Sequence, residues 1–348
     1  MDERSNGTRR RRKMQRVTMT EVAASAGVSP STVSLYLRKP TLVSPSVGET
    51  IGRAIERLGY VPNLVAGGLA AAGSRVVSVI VPSVRNAFFA DTVAALQETL
   101  APSGLQVMLG HTDYGFDREE TLVRTALSWA PAAIVIVGLE HGRGTRGLLM
   151  GAAAPVFEIW ECGQHPIDTA VGFQHREVGR AAATHLLARG RRHLAFLGAR
   201  MADDYRAQYR ADGFARRVTE QGAPAPLVLD APDGASVALG ARLLGQALAE
   251  RRRIDGIACS NDLIALGALF ECQRRGIAVP QAIGIVGFGA LEFTGSCVPP
   301  LTTIDPFGSR IGTMVGQRIL ARLQERSPSP PQPETIDTGF ELVVRDST

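Results

Sequence analysis

Apolar residues recur in two rhythms along this chain, and the change of rhythm divides it. Between residues 18 and 58 they fall at helical spacing in three short segments. In TMTEVAASAG, Thr18 and Glu21 stand three apart at the head of an apolar face begun by Val22 and Ala23, the pattern of a capping box, and Gly27 stops the segment. The next starts Ser29-Pro30, an N-cap followed by a proline at the first helical position, where its missing N–H costs nothing. The third repeats that start at Ser44-Pro45, places Ile51, Ala54, Ile55 and Leu58 on one face and stops at Gly59. Two helices joined by a tight turn around Gly27-Val28 predict a helix-turn-helix, and the third completes a small all-α head.

From Val76 onward the rhythm changes to short apolar runs alternating with helical stretches. Strands are predicted at VVSVIVPS, LQVMLGHTD, AAIVIVGLE, PVFEIW, HLAFLGA, PLVLD, GIACSND and GIVGFGA. Most start about 25–30 residues apart, the period of βα units in a parallel sheet covered on both faces. Eight units exceed the usual width of one sheet, so two similar lobes are expected, with a break near 173–176. The Pro-rich SPSPPQP (327–333) reads as a surface linker to a final strand, TIDTGFELVV. Ligands of such folds lie beyond the carboxyl ends of the strands, here between the lobes.

Charge sharpens this picture. Of 348 residues with formal net charge +5, the first 62 carry eleven basic and five acidic side chains, so the excess lies wholly in the head and its RRRRK-bearing tail. A basic arm on a near-neutral body implies a polyanionic partner, because each phosphate neutralised releases condensed counterions. The basic N-terminus is followed by no apolar segment of the kind a secretory signal needs, and no apolar run approaches the ~20 residues of a membrane span. A cytoplasmic protein without membrane attachment is expected. Cys162, Cys259, Cys272 and Cys297 show neither zinc-ligand nor disulfide-framework spacing.

The run VTMTEVAASAGVSPSTVSLYLRKPTLVSPSVGETIGRAIERLGYVPNLVAGGLA resembles the head of the LacI family of bacterial transcription regulators, through V-T-x-x-x-V-A-x-x-A-G-V-S-x-x-T-V-S, L-G-Y-x-P-N and a final leucine. The resemblance implies a lambda-repressor-like helix-turn-helix whose second helix enters the major groove of a double-stranded operator. Pro30, Ser31, Ser34 and Leu35 would face bases and Thr32 phosphate, with Thr18, Ser29 and Asn63 completing the contacts. Pro30 and Leu35 carry no hydrogen-bonding head, so the operator sequence cannot be read from them. The segment PNLVAGGLA resembles the family's hinge helix, with Leu69 at the position that wedges into the minor groove. Gly67 and Gly68 each cost roughly 1 kcal/mol against Ala, so this hinge is expected to fold only on DNA.

The resemblance continues to about residue 345, densest at TVAALQETLAPSGLQVML, ARGRRHLAFLGAR and CSNDLIALGALFECQRRGIAVP. Through LSWAPAAIVI, DTAVGF and ALFECQRRG it is nearest to repressors of gluconate utilisation. It implies a two-lobed, periplasmic-binding-protein-like α/β body with parallel sheets that forms a homodimer and binds a small effector in its cleft. Matching contact positions are Phe88, Trp160, Arg206, Arg210, Asn261 and Asp262. A sugar acid such as gluconate, a ketogluconate or a phosphorylated form suits them: a guanidinium for the carboxylate, amide and carboxylate groups for hydroxyls, an aromatic face for C–H. Gly289 stands where many sugar- and purine-binding members carry a cleft Asp, which disfavours a neutral sugar.

The expected organisation is a basic disordered tail over 1–16, the helix-turn-helix over 17–61, a hinge over 62–74 and the effector-binding and dimerisation body over 75–348. Its lobes are 75–173 with 306–334, and 174–305 with 335–348. No G-x-G-x-x-G, P-loop or G-x-S-x-G pattern is present, so neither a cofactor nor catalysis is expected, and His175, His185 and His193 read as polar groups at helix and strand ends. The alternatives are a regulator of another carbohydrate or purine pathway that uses a co-repressor and, less well supported, a cofactor-dependent enzyme with a DNA-binding appendage.

Overall fold

The computed structural model describes residues 17–61, 74–85, 87–250, 253–325 and 332–348. The tail (1–16) and nearly all of the hinge segment (62–74), with Asn63 and Leu69, lie outside the described residues. Contacts divide the chain into two units at 72/73.

In the first unit the local signals fold as read. Helix α1 (Met19–Ala26) is capped by Thr18, whose hydroxyl accepts from Glu21 N while the Glu21 carboxylate accepts from Thr18 N at 2.6 Å. Helix α2 (Pro30–Arg38) starts on Ser29, which accepts from Thr32 N at 3.2 Å, and α3 (Pro45–Leu58) ends at the left-handed Gly59. Val22, Ala23, Val33, Ile51, Ala54 and Tyr60 are buried together as the core of this head. Burial of these side chains, at roughly 25 cal/mol per Å² of apolar surface, is what orders three helices too short to persist alone.

The second unit is the α/β body. Its first sheet contains β1 (Val76–Val81), β2 (Gln106–His111), β3 (Ala133–Val137), β4 (Val156–Ile159), β5 (Thr169–Gly172) and, near the C-terminus, β11 (Glu334–Asp337). The order is β11-β5-β4-β3-β1-β2 and every pair is parallel. The second sheet contains β6 (Leu194–Leu197), β7 (Leu227–Leu229), β8 (Gly256–Cys259) and β9 (Gly284–Val286) in the order β7-β6-β8-β9, again parallel. The helices of the body are α4 (Phe88–Leu100), α5 (Phe116–Ser128), α6 (Arg143–Met150), α7 (His175–Ala188), α8 (Tyr205–Glu220), α9 (Val237–Glu250), α10 (Asp262–Arg274) and α11 (Gly308–Gln324). Central strands such as β3 and β8 are buried at every position, which is why they read as continuous apolar runs.

Three features differ from the expectation. Strand β5 follows β4 with no helix between, so it falls outside the βα period. Strand β10 (Thr303–Asp305) is a three-residue element that pairs antiparallel with β12 (Glu341–Val343). The expected final strand TIDTGFELVV is two strands in two sheets: Gly339, at φ 64°, turns the chain between β11 and β12. The lobe boundary expected at 334/335 therefore moves, since Thr335–Asp337 pair with Ala170–Gly172 in the first sheet.

The chain crosses between the lobes after β5, after β10 and after β11. Phe88, Phe89, Trp160, Phe173 and Phe288 form one hydrophobic cluster across these crossings.

Candidate functional site

The head presents the first candidate surface. Ser29, Pro30 and Ser31 are exposed at the start of α2, Thr32, Ser34 and Leu35 are half-buried one turn on, and Thr18 is exposed at the start of α1. The hydroxyls of Ser29, Ser31 and Thr32 form a cluster, Ser29 Oγ lying 2.6 Å from Ser31 Oγ and 2.8 Å from Thr32 Oγ1. An exposed helix start with clustered hydroxyls suits phosphate oxygens.

The second candidate is in the body. The left-handed residues Asp113, Tyr114, Trp160, Arg200 and Ala290 all follow carboxyl ends of strands, where the backbone turns sharply around the cleft. All six expected effector residues are more than nine-tenths buried. Trp160, at φ 67° just beyond β4, donates from Nε1 to Thr92 Oγ1 at 3.0 Å, and that hydroxyl donates to Gly308 O at 2.9 Å. Its ring lies 5.1 Å from Phe88 and 5.9 Å from Phe173, and Phe88 lies 6.0 Å from Phe288.

Against this aromatic wall stands Arg210. Helices α7 and α8 touch through Gly179 and Gly213, where a Cβ would run into the backbone carbonyls of Arg210 and Arg176, so α8 is held close. The Arg210 guanidinium lies 4.2 Å over the Phe288 ring and donates to Ser260 O at 3.0 Å. Nη1 is 3.0 Å from His175 Nδ1. His175 Nε2 is 2.9 Å from Trp160 O, a carbonyl that can only accept, so Nε2 carries the proton and Nδ1 accepts from Arg210. Burial, reinforced by the Arg210 and Arg206 charges, holds His175 well below its usual pKa and therefore neutral. Arg210 makes no ion pair among the described residues, and its buried Nε has no partner. Burial, with the Arg206 charge and against the pull of Asp204, pushes its pKa down to about 10. It is a desolvated cation with a donor to spare.

Arg206, one turn earlier, pairs with Asp204 at 3.3 Å and packs 4.8 Å over the Tyr205 ring. It also lines a small, solvent-open pocket over the ends of β1, β2 and β3, with Thr112, Tyr114, Glu119 and Glu140 from the first lobe and Asp203 from the second. That pocket lies beside Arg206; Arg210 is not among its walls.

Asn261 and Asp262 both bond to the protein itself. Asn261 caps α10 by accepting from Ile264 N at 3.1 Å, and its Nδ2 makes no hydrogen bond among the described residues. Asp262, read as an effector contact, is fully buried and gives both oxygens to the protein: Oδ1 accepts from Thr303 Oγ1 at 2.6 Å and Oδ2 from Leu291 N at 2.9 Å. It ties α10 to β10 and to the loop after β9, because an unpaired buried carboxylate would be costly. Gly289 lies in that loop at φ 125°, a conformation that disfavours a side chain there.

The residues missed in the sequence are His175, Phe288, Ser260, Thr92 and Tyr205. His175 read as a polar group at a helix start, and it is that by position; its part in the site comes from Trp160 O and Arg210, which no local pattern announces. Among the described residues no group of acidic, His and Cys side chains could hold a metal ion, and no helix is long and apolar enough to cross a membrane.

Comparison with known proteins agrees with both halves. Residues 18–63 match the model of the bacterial regulatory proteins, lacI family, and residues 183–348 that of the periplasmic binding protein-like domain. The HTH-type transcriptional regulator GntR of Pseudomonas aeruginosa is 37% identical, over 96% of each chain. A LacI-family regulator from Silicibacter pomeroyi superimposes with a TM-score of 0.88 at 33% identity, over 95% of this chain and 99% of that one. The lac repressor dimer bound to operator and the anti-inducer ONPF gives 0.79 at 25% identity, over 96% and 99%. With a capped helix-turn-helix head and a two-lobed parallel α/β body, and with relatives that are transcriptional regulators rather than enzymes, this chain belongs to the LacI family of transcriptional repressors.

Proposed function

We propose that this repressor binds a palindromic operator as a homodimer in the cytoplasm and is released by a sugar acid, gluconate, a ketogluconate or a phosphorylated form, bound between its lobes. Arg210 would take the carboxylate; Arg206 and Asn261 would donate to hydroxyls; Phe88 and Trp160 would form the apolar wall. On DNA, Ser31, Ser34, Pro30 and Leu35 would meet base edges, Thr32, Ser29 and Thr18 the backbone, and the segment with Asn63 and Leu69 would couple the cleft to the operator.

The observation that carries this reading is the buried Arg210 guanidinium, stacked on Phe288 and without an acidic partner among the described residues. A buried cation is costly unless paired, so a site built around one favours an anion, and a neutral sugar would leave the cost unrelieved. The similarity to GntR regulators supports the same effector class. Release follows if the effector binds one lobe geometry better than the one compatible with operator.

The test is a gel-shift titration on the duplex upstream of the protein's own gene, with gluconate, a ketogluconate, glucose and a purine as competing ligands. Release by an acid and by neither glucose nor the purine is expected. Release by glucose, or operator binding that requires the purine, would overturn the effector reading while leaving the DNA-binding role intact.

A further inference from the structure

Tyr205 begins α8 in the second lobe, yet among the described residues the polar partners of its hydroxyl belong to the first. The oxygen accepts from Leu139 N at 2.9 Å and Glu140 N at 3.1 Å, the two amides just beyond β3, and donates to Glu161 Oε2 at 2.7 Å just beyond β4. A phenol has one proton to donate and lone pairs to accept with, so this hydroxyl is fully used. Glu161 Oε2 also accepts from Leu139 N at 3.1 Å, which closes the set on itself. Among the described residues the phenol is the only hydrogen-bond partner of Glu140 N.

The first lobe is shaped to receive this group. Gly138, at φ 95°, precedes the two amides, and a Cβ there would collide with the Tyr205 hydroxyl and Arg206 Nη1. One turn along α8, Tyr209 donates to the Glu140 carboxylate and its ring packs edge-on at 5.5 Å against Tyr205. Arg200 of the second lobe pairs with Asp113 of the first at 2.8 Å. These contacts lie beside Arg206, at the edge of the pocket over β1, β2 and β3.

We propose that Tyr205 is an interlobe latch: its hydroxyl, seated on Leu139 N, Glu140 N and Glu161, holds the two lobes closed and thereby sets how much of the protein is in the geometry that binds effector. Tyr205 is a positioning residue, acting on the effector through the closure that brings Arg206 against the first lobe. Apparent affinity scales with the fraction of binding-competent protein, so a loosened latch raises Kd without removing any ligand contact. The binding consequence rests on the proposed effector site; the latch itself does not.

The experiment compares full-length wild type with Tyr205→Phe, which keeps the ring, and Gly138→Ala, which blocks the seat from the other lobe. Hydrogen exchange is followed on the peptide spanning residues 137–142, and gluconate binding by calorimetry. Each variant is expected to exchange the Glu140 amide at least tenfold faster, with peptides inside β3 and β6 unchanged, and to bind gluconate at least tenfold more weakly. The double variant is expected to be no worse than the weaker single one, since both remove the same contact. Unchanged exchange in Tyr205→Phe would overturn the latch whatever Gly138→Ala does. Faster exchange with unchanged gluconate affinity would overturn its control of binding. If wild type binds no sugar acid, the effector reading fails and the exchange comparison still decides the latch.

Discussion

Replacing Arg210 by Met should separate stability from effector binding, and the structure sets both magnitudes. The guanidinium is buried and its pKa is pushed down from 12.5 to about 10 by burial, reinforced by Arg206 and opposed by Asp204. At 1.36 kcal/mol per pKa unit, holding this charge at neutral pH costs the fold about 3 kcal/mol. Methionine removes that cost and fills much of the space over Phe288. It also strips a donor from Ser260 O and one from His175 Nδ1, each worth about 1–2 kcal/mol when left unpaired. The two effects nearly cancel, so the melting temperature should move by no more than roughly 5 °C in either direction. Binding has no such compensation. A carboxylate seated on a desolvated guanidinium loses about 3–5 kcal/mol when its partner is removed, a Kd weaker by roughly a hundredfold to a few thousandfold. The assay is calorimetric titration with gluconate alongside differential scanning calorimetry of both proteins. A variant that melts more than ~10 °C lower while still binding gluconate would show that Arg210 is a packing hub and not the anion contact, and the reasoning would fail.

A buried His141 lies between Glu119, 3.0 Å from Nδ1, and Glu158, 3.4 Å from Nε2. Burial alone would lower its pKa, but the hydrogen bonds and charges of the two carboxylates outweigh burial and raise it to about 9. Its stabilisation is thus complete below pH 6.5 and lost as pH rises through about 9; in urea unfolding between pH 6 and 10, wild type should lose about 3 kcal/mol more than His141→Gln. Asp262 is the opposite case: burial raises its pKa from 3.8 to about 6, so its ionisation penalty is absent below pH 3.8 and fully present above about 6. Stability should therefore fall less steeply from pH 4 to 6 in Asp262→Asn, measured by melting temperature. In the head, Ser29→Ala should cost about 1 kcal/mol of stability through loss of the α2 cap, read from the melting of residues 17–61 within the full chain.

The head was legible because its signals are local. Thr18 with Glu21, Ser29 with Pro30, and the stops at Gly27 and Gly59 each act within one helical turn, and the apolar face of α3 needs only a 3.6-residue period to be seen. The parallel sheets were legible for a related reason: β3 and β8, buried on both faces, have to be apolar throughout. Where an element is short and its identity comes from its neighbour, the pattern carries no such mark. Strand β5 is Thr169–Gly172 and β10 is Thr303–Asp305, and each is a strand only because another one lies beside it. Gly339 splits TIDTGFELVV between two sheets, a choice made by the partners β5 and β10 rather than by the run itself.

The site divides along the same line. Arg210, Trp160 and Asn261 stood out as chemistry-bearing residues after strands or at helix starts. The neutral state of His175, the lack of an ion pair to Arg210 among the described residues, the service of Asp262 to Thr303 and Leu291, and the reach of Tyr205 into the other lobe are facts of three-dimensional neighbourhood. Helix caps and hydrophobic periods are written into adjacent residues, so the sequence alone determined the head, the βα body and the kinds of side chain at its cleft. Burial, protonation and partnership depend on which distant segments meet, and only the tertiary structure decided those.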